Sequence, residues 1–151
     1  MYARQHAWLD APPKPPENAK GKKNADQPTR REQYESKGAD APLPELGAAE
    51  YLWAFLGSMG VTEPGAHGPA PLAWPTLEGW QRCNGLRLRA WECRAIRAAS
   101  SGYVGEYFAA QDPARPAPWA SQESIDRDRV ADNIRGIFGA RAAKRDKPAR
   151  G

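Results

Sequence analysis

The side chains best suited to nucleophilic, acid–base or metal-bound chemistry are few in this 151-residue chain, and they do not gather. The only histidines are His6 and His67. His67 sits in a Gly/Pro-rich stretch, and one histidine without a carboxylate or cysteine neighbour makes no metal site. The only cysteines are Cys83 and Cys93, with no histidine near either. Two such thiols fit neither a disulfide framework nor a zinc site, and they read as small side chains that pack. No glycine-rich phosphate cradle of the GxGxxG or GxxxxGK[ST] kind occurs. Carboxylates in the helical segments alternate with arginine, so Glu78 and Glu92 read as surface groups or cap partners rather than an acid–base pair. The expectation is a binding protein and not an enzyme, without cofactor or metal.

Tryptophan is the informative residue type, with six in the chain. Trp80 and Trp91 fall on helical faces where such rings fill a small core. Trp53 and Trp74 are better placed for a contact surface, because tryptophan is enriched at binding hot spots. Trp8, with Leu9 beside it, reads as an isolated tail aromatic, with a short anchor for a partner as the alternative.

The elements that must position these rings are helices. Residues 48–59 carry apolar side chains with Leu52, Phe55, Leu56 and Met59 at i, i+3, i+4 and i+7, which predicts a helix over about 44–58 started by Pro44. Tyr51 and Trp53 make it apolar around most of its circumference, which suggests either central burial or one face left over for something else. Residues 60–72 have no period and many glycines and prolines, and read as a loop. A second helix runs from Pro75 to about Cys83, with Leu77 and Trp80 on one side and Asn84-Gly85 closing it. A third spans about 89–109, with Trp91, Ile96 and Tyr103 inward; Gly102 and Gly105 predict fraying or a close approach there. Thr29 and Glu32 form a capping-box pattern for one or two turns ended by Gly38. Residues 11–28, rich in Pro, Lys, Asn and Ala, cannot bury enough apolar surface to order themselves. The sequence thus predicts a mostly α, small three- to four-helix domain over 42–110. A disordered or extended region over 1–41 precedes it. A proline-rich linker at 111–120 follows, and then a C-terminal amphipathic helix and basic tail over 121–151, with Val130, Ile134, Ile137 and Phe138 as the stripe. Leu52, Leu77, Trp80, Leu88, Trp91, Ile96 and Tyr103 are the expected core.

Two helices separated by Asn84-Gly85, with Arg87, Arg89, Arg94 and Arg97 nearby, also fit a helix-turn-helix reader of DNA. Charge argues against it. Residues 44–112 carry five Lys/Arg against seven Asp/Glu, while residues 139–151 carry five against one. A duplex-binding module concentrates positive charge on its folded reading face. There is no run of about 18 apolar residues to span a membrane, and the polar N-terminus does not read as a signal peptide. The setting expected is a soluble, reducing cytoplasm.

The segments APLPELGAAEYLWAFLGSMG and PLAWPTLEGWQRCNGLRLRAWECRAIRAASSGYVGEY together resemble the tail assembly chaperones of tailed bacteriophages. The matching residues are Pro44, Tyr51, Leu52, Trp53, Phe55, Leu77, Trp80, Gly85, Leu88, Trp91, Glu92, Ile96, Ser100 and Tyr103, within about residues 42–107. The resemblance implies a protein that binds the tape-measure protein in the host cytoplasm and keeps it soluble. It further implies help in recruiting the major tail-tube protein, and absence from the mature virion. Tyr51, Trp53, Phe55, Leu56 and Trp74 are the candidate partner-binding residues, and self-association is a further expectation. The long Pro/Lys-rich N-terminal extension and the basic C-terminal extension depart from the family's pattern. A DNA-binding protein and a minor virion structural protein are the alternatives.

Overall fold

A computed structural model describes residues 1–15 and 27–119. Among them are five α-helices and one β-hairpin: α1 (Tyr2–Asp10), α2 (Arg30–Glu35), α3 (Glu50–Met59), β1 (Thr62–Gly65), β2 (Gly68–Pro71), α4 (Trp74–Cys83) and α5 (Ala90–Ala109). The mostly helical small domain read from the sequence is present. The expected C-terminal amphipathic helix and basic tail over 121–151 and the middle of the 11–28 stretch lie outside the described residues.

The 20-residue helix α5 is the piece on which the others pack. Its N-terminal half faces an aliphatic core to which four elements contribute one side chain each. These are Leu56 of α3, Leu72 after β2, Leu77 of α4 and Ile96 of α5, all at most 2% exposed. Leu52, Met59, Val61, Leu88 and Cys93 pack around them. Burying four such side chains contributes about 1.5–3 kcal/mol each.

The C-terminal half of α5 is covered by α1, and here the sequence reading of a disordered or extended stretch over 1–41 fails for residues 2–10, which form a packed helix. Ala3, Gln5, Ala7 and Leu9 of α1 are buried. The reason such a helix is hard to foresee is that it docks through alanines and satisfied polar groups. Gln5 donates from Nε2 to Pro42 O (3.0 Å) and accepts from the Trp119 amide (3.1 Å). Trp8 Nε1 donates to Arg115 O (2.9 Å). Gly102, where α5 was expected to fray or be approached closely, lies under the Arg4 side chain, and the helix continues to Ala109. The compact unit therefore runs from Met1 to Trp119 rather than from 42 to 110. Residues expected as a linker pack on it, with the Lys14 amide donating to Gln111 O. The capping box of α2 forms as its sequence predicts, with Thr29 and Glu32 exchanging bonds.

The second correction is residues 60–72, which form a hairpin and not a loop. Its register pairs Thr62 with Pro71, Glu63 with Ala70, Pro64 with Pro69 and Gly65 with Gly68. Two prolines opposite one another suit a position where neither strand donates. A β-carbon on Gly65 would lie 2.8 Å from Gly68 O, so only glycine fits the tip. The hairpin delivers Glu63 to the start of α4, where its carboxylate accepts from the Ala73 amide (2.9 Å). The Thr76 hydroxyl first, and this amide second, hold the Glu63 carboxyl below its ordinary pKa. The α3 helix also begins later than expected, at Glu50, behind a 3-10 turn at Gly47–Ala49. Pro44 lies ahead of that turn.

One buried hydroxyl fastens the hairpin to α5. Ser100 Oγ accepts from the Leu72 amide (2.9 Å) and donates to Val61 O (2.7 Å), fully out of solvent. Replacing it leaves two backbone groups without partners in a dry site. Ser100→Ala is therefore expected to lower stability by about 2–6 kcal/mol, at about 1–3 kcal/mol for each orphaned group. Urea unfolding measures this, and a loss under about 0.5 kcal/mol, the range of neutral surface changes, contradicts it.

Candidate functional site

The five candidate partner-binding residues do not form one surface. Tyr51 and Phe55 sit one helical turn apart on α3, with ring centroids 5.6 Å apart, and Phe55 continues to Trp80 of α4 at 5.2 Å. The Tyr51 hydroxyl donates to Glu92 Oε1 (2.7 Å), while Glu92 Oε2 accepts from the Arg89 amide (2.6 Å) and caps α5. These two bonds, the phenol's first, keep the Glu92 carboxyl below its ordinary pKa. Glu92 is thus a cap partner, as its sequence position predicts. Tyr51 remains 38% exposed.

Trp53 points the other way, into an aromatic stack with α1. Its ring lies 4.6 Å from His6 and 5.0 Å from Tyr2, centroid to centroid. Leu56 is 1% exposed and belongs to the core, which removes it from the contact surface. Trp74 is exposed at the start of α4 with the Arg97 guanidinium 4.8 Å from its ring centroid. Arg97 is held there by donating to Leu72 O (3.0 Å).

Of the expected core, Leu77 and Ile96 are buried and Leu52 and Leu88 pack half-buried against them. Trp80 and Tyr103 are half-buried. The Tyr103 hydroxyl donates to Asp10 (3.2 Å); burial first, and then the Asp10 charge, push it well above the ordinary tyrosine range. Trp91 is a correction. It is 49% exposed, because the inward side of the first turn of α5 is taken by Cys93 and Ile96. The sequence reading missed Tyr2, His6 and Leu9 of α1, and Arg30, whose guanidinium is buried under Trp8 and donates to Trp8 O, Ala110 O and Asp112 O. No apolar period announces them.

Trp53 also lines an apolar groove of about 340 Å³ between the start of α1, α3 and α5. Its floor is made by small residues of α5, Ala95, Ala98 and Gly102, with Leu52 and Tyr2 on the walls. Small side chains on a helix permit close approach by another helix, and the 3–4 residue spacing places them on one face. Tyr51, Phe55 and Trp74 do not line it. Cys83 is exposed, Cys93 half-buried, and both are free thiols. Among the described residues no group of three His, Cys, Asp or Glu side chains could hold a metal ion, and no helix is long and apolar enough to cross a membrane. Comparison with protein-family models, with curated proteins and with solved structures finds no match to this chain.

His6 is the one histidine in the stack. Its Nδ1 receives a bond from Arg31 (3.0 Å), and its Nε2 is buried without a partner. Burial first, and the Arg31 charge second, lower its pKa; Asp10 opposes them. The folded chain thus resists a proton that the unfolded chain accepts below about pH 6.5. Stability from this site is present above that pH and is lost as pH falls through the lowered folded value. His6→Phe, which keeps a ring between Tyr2 and Trp53, is expected to flatten the dependence of melting temperature on pH just below about 6.5. An unchanged slope contradicts the assignment.

Proposed function

We propose that this chain is a tail assembly chaperone, whose helical domain shields apolar helical stripes of a tape-measure protein and helps bring tail-tube subunits to it. The observation that carries the reading is the spaced pattern Tyr51-Leu52-Trp53, Phe55, Trp80, Gly85, Trp91-Glu92 and Tyr103, which resembles that family over about residues 42–107. The groove beside Trp53 supports it physically. A long helical protein waiting to be enclosed exposes apolar stripes that aggregate. An apolar channel floored by alanine and glycine is suited to receive one such stripe, in the helix-in-groove mode. The chain acts in the host cytoplasm on this reading and leaves before the virion is complete.

A helix-turn-helix role is the weaker reading. Residues 84–89 separate α4 from α5, longer than the three- or four-residue turn of that motif.

Co-expression with a tape-measure fragment tests the proposal. Ala98 is exposed on the groove floor, so Ala98→Trp fills the channel without cutting into the core. Ala98→Trp and Trp53→Ala are each expected to cut the soluble tape-measure fraction and its co-purification about tenfold, the scale of losing one hot-spot contact. Unchanged solubility and co-purification in both variants sinks the groove assignment. Recovery of the chain from purified particles by mass spectrometry sinks the chaperone reading in favour of a virion component.

A further inference from the structure

The corrected position of Trp91 leaves a surface that the groove does not use. Between α4 and the second turn of α5 the side chains of Leu86, Arg87, Arg89, Trp91 and Arg94 are all exposed, Leu86 at 40% and Trp91 at 49%. Trp91 and Arg94 are three apart on α5 and share a face. Among the described residues none of Arg87, Arg89 and Arg94 is ion-paired, whereas the neighbouring Arg82 is bound to Glu78 at 2.7 Å. Glu92, the nearby carboxylate, is occupied by Tyr51 and the Arg89 amide.

The segment that presents these groups is held at both ends. Gly85, with φ of +62°, closes α4: the Leu86 amide donates to Gln81 O (3.0 Å) and the Gly85 amide to Arg82 O (3.4 Å). This is a Schellman closure, in which the residue after the glycine ordinarily packs back on the helix. Leu86 instead faces water. The Leu88 amide then donates to Gln81 Oε1 (2.8 Å). Each end of the connection is therefore fixed before any partner arrives, which lowers the ordering cost of binding.

We propose that Leu86, Arg87, Arg89, Trp91 and Arg94 form a second docking surface, for an acidic protein segment that carries apolar side chains. Trp91 and Leu86 seat the apolar residues, and the guanidinium groups pair the carboxylates, for which their planar forks are suited. A protein fits better than a nucleic acid. Leu86 gains nothing from phosphate, and residues 44–112, which carry the patch, hold five Lys/Arg against seven Asp/Glu. The proposal does not rest on the chaperone reading, since it concerns a different face.

The test uses the full chain and a fluorescein-labelled synthetic helical peptide with glutamate along one side and leucine along the other. Its counterpart has lysine for every glutamate. A duplex oligonucleotide is the third probe, and anisotropy is the readout. The acidic peptide is expected to bind, and more weakly as salt rises. Trp91→Ala is expected to weaken binding about tenfold or more, as for a hot-spot aromatic. Arg87→Gln/Arg89→Gln/Arg94→Gln should abolish it. All four side chains are exposed, so thermal melting should not change, and Leu86→Ser provides an independent check. Equal binding of the lysine peptide overturns the proposal. So does unchanged affinity in both the Trp91 and the arginine variants, which would assign the binding to charge elsewhere, such as residues 139–151. Tighter binding of the oligonucleotide, lost in the same arginine variants, overturns it in favour of nucleic acid.

Discussion

A single buried carboxylate organises half of this domain. The Glu106 side chain, 1% exposed, accepts from Arg4 (2.7 and 3.0 Å) and from Arg115 (2.9 and 3.2 Å). Arg4 belongs to α1 and Arg115 to the segment after α5, so one acidic group on α5 joins three stretches of chain. Removing a carboxylate from water is costly. Burial accordingly pushes Glu106 toward the neutral acid, but the bonds from Arg115 and Arg4 outweigh it and leave its pKa below the ordinary value. The arginines remain partly in water, so the arrangement needs no fully buried cation. Arg30 does the complementary job beside it, donating to three carbonyls where α1, α5 and the following turn meet. Deprive α1 of these partners and what remains is Leu9, two alanines and the stack of Tyr2 and His6 on Trp53.

The two halves of α5 thus depend on different physics. Near Ile96 the contacts are aliphatic and non-directional, and they tolerate conservative exchange of volume. Near Glu106 they are directional, and each group has a specified partner. Ser100 lies between, a polar pin at the margin of the aliphatic core that fixes how the hairpin sits. Misplacing either half would shift the Trp53 groove, since Tyr2 reaches it from the polar half and Leu52 from the apolar half.

This division explains what could be read from the sequence. Helices α3, α4 and α5 carry apolar spacings and end signals, and Thr29 with Glu32 announces α2, so these elements are legible. The α1 helix is not, since Gln5, Arg4 and Trp8 secure it through partners far away in sequence, at Pro42, Glu106 and Arg115. Nor is the hairpin, where prolines at 64, 69 and 71 speak against a strand by propensity. It survives as two strands alone, where a missing donor costs little at an edge. For the candidate site the types of residue were legible and their directions were not. Helix α3 is apolar around most of its circumference, so spacing alone cannot say which of Phe55, Leu56 and Trp53 faces inward. The neighbours decide: Leu56 meets Leu72 and Leu77, Trp53 meets His6, and Phe55 meets Trp80.

Trp91 makes the same point in reverse and bears on function. A tryptophan followed by glutamate at a helix start looks like a packed anchor, and Glu92 does anchor, through Tyr51 and the Arg89 amide. The helical turn that lets Glu92 reach back over the N-terminus places Trp91 on a different side, since neighbouring residues on a helix do not share a face. Cap and exposed ring are therefore coupled: the cap fixes the first turn of α5, and that fixed turn holds the ring out in water. A large aromatic kept exposed by a rigid cap, among arginines without ion pairs, adds little to the core, and that is the placement the proposed docking surface requires.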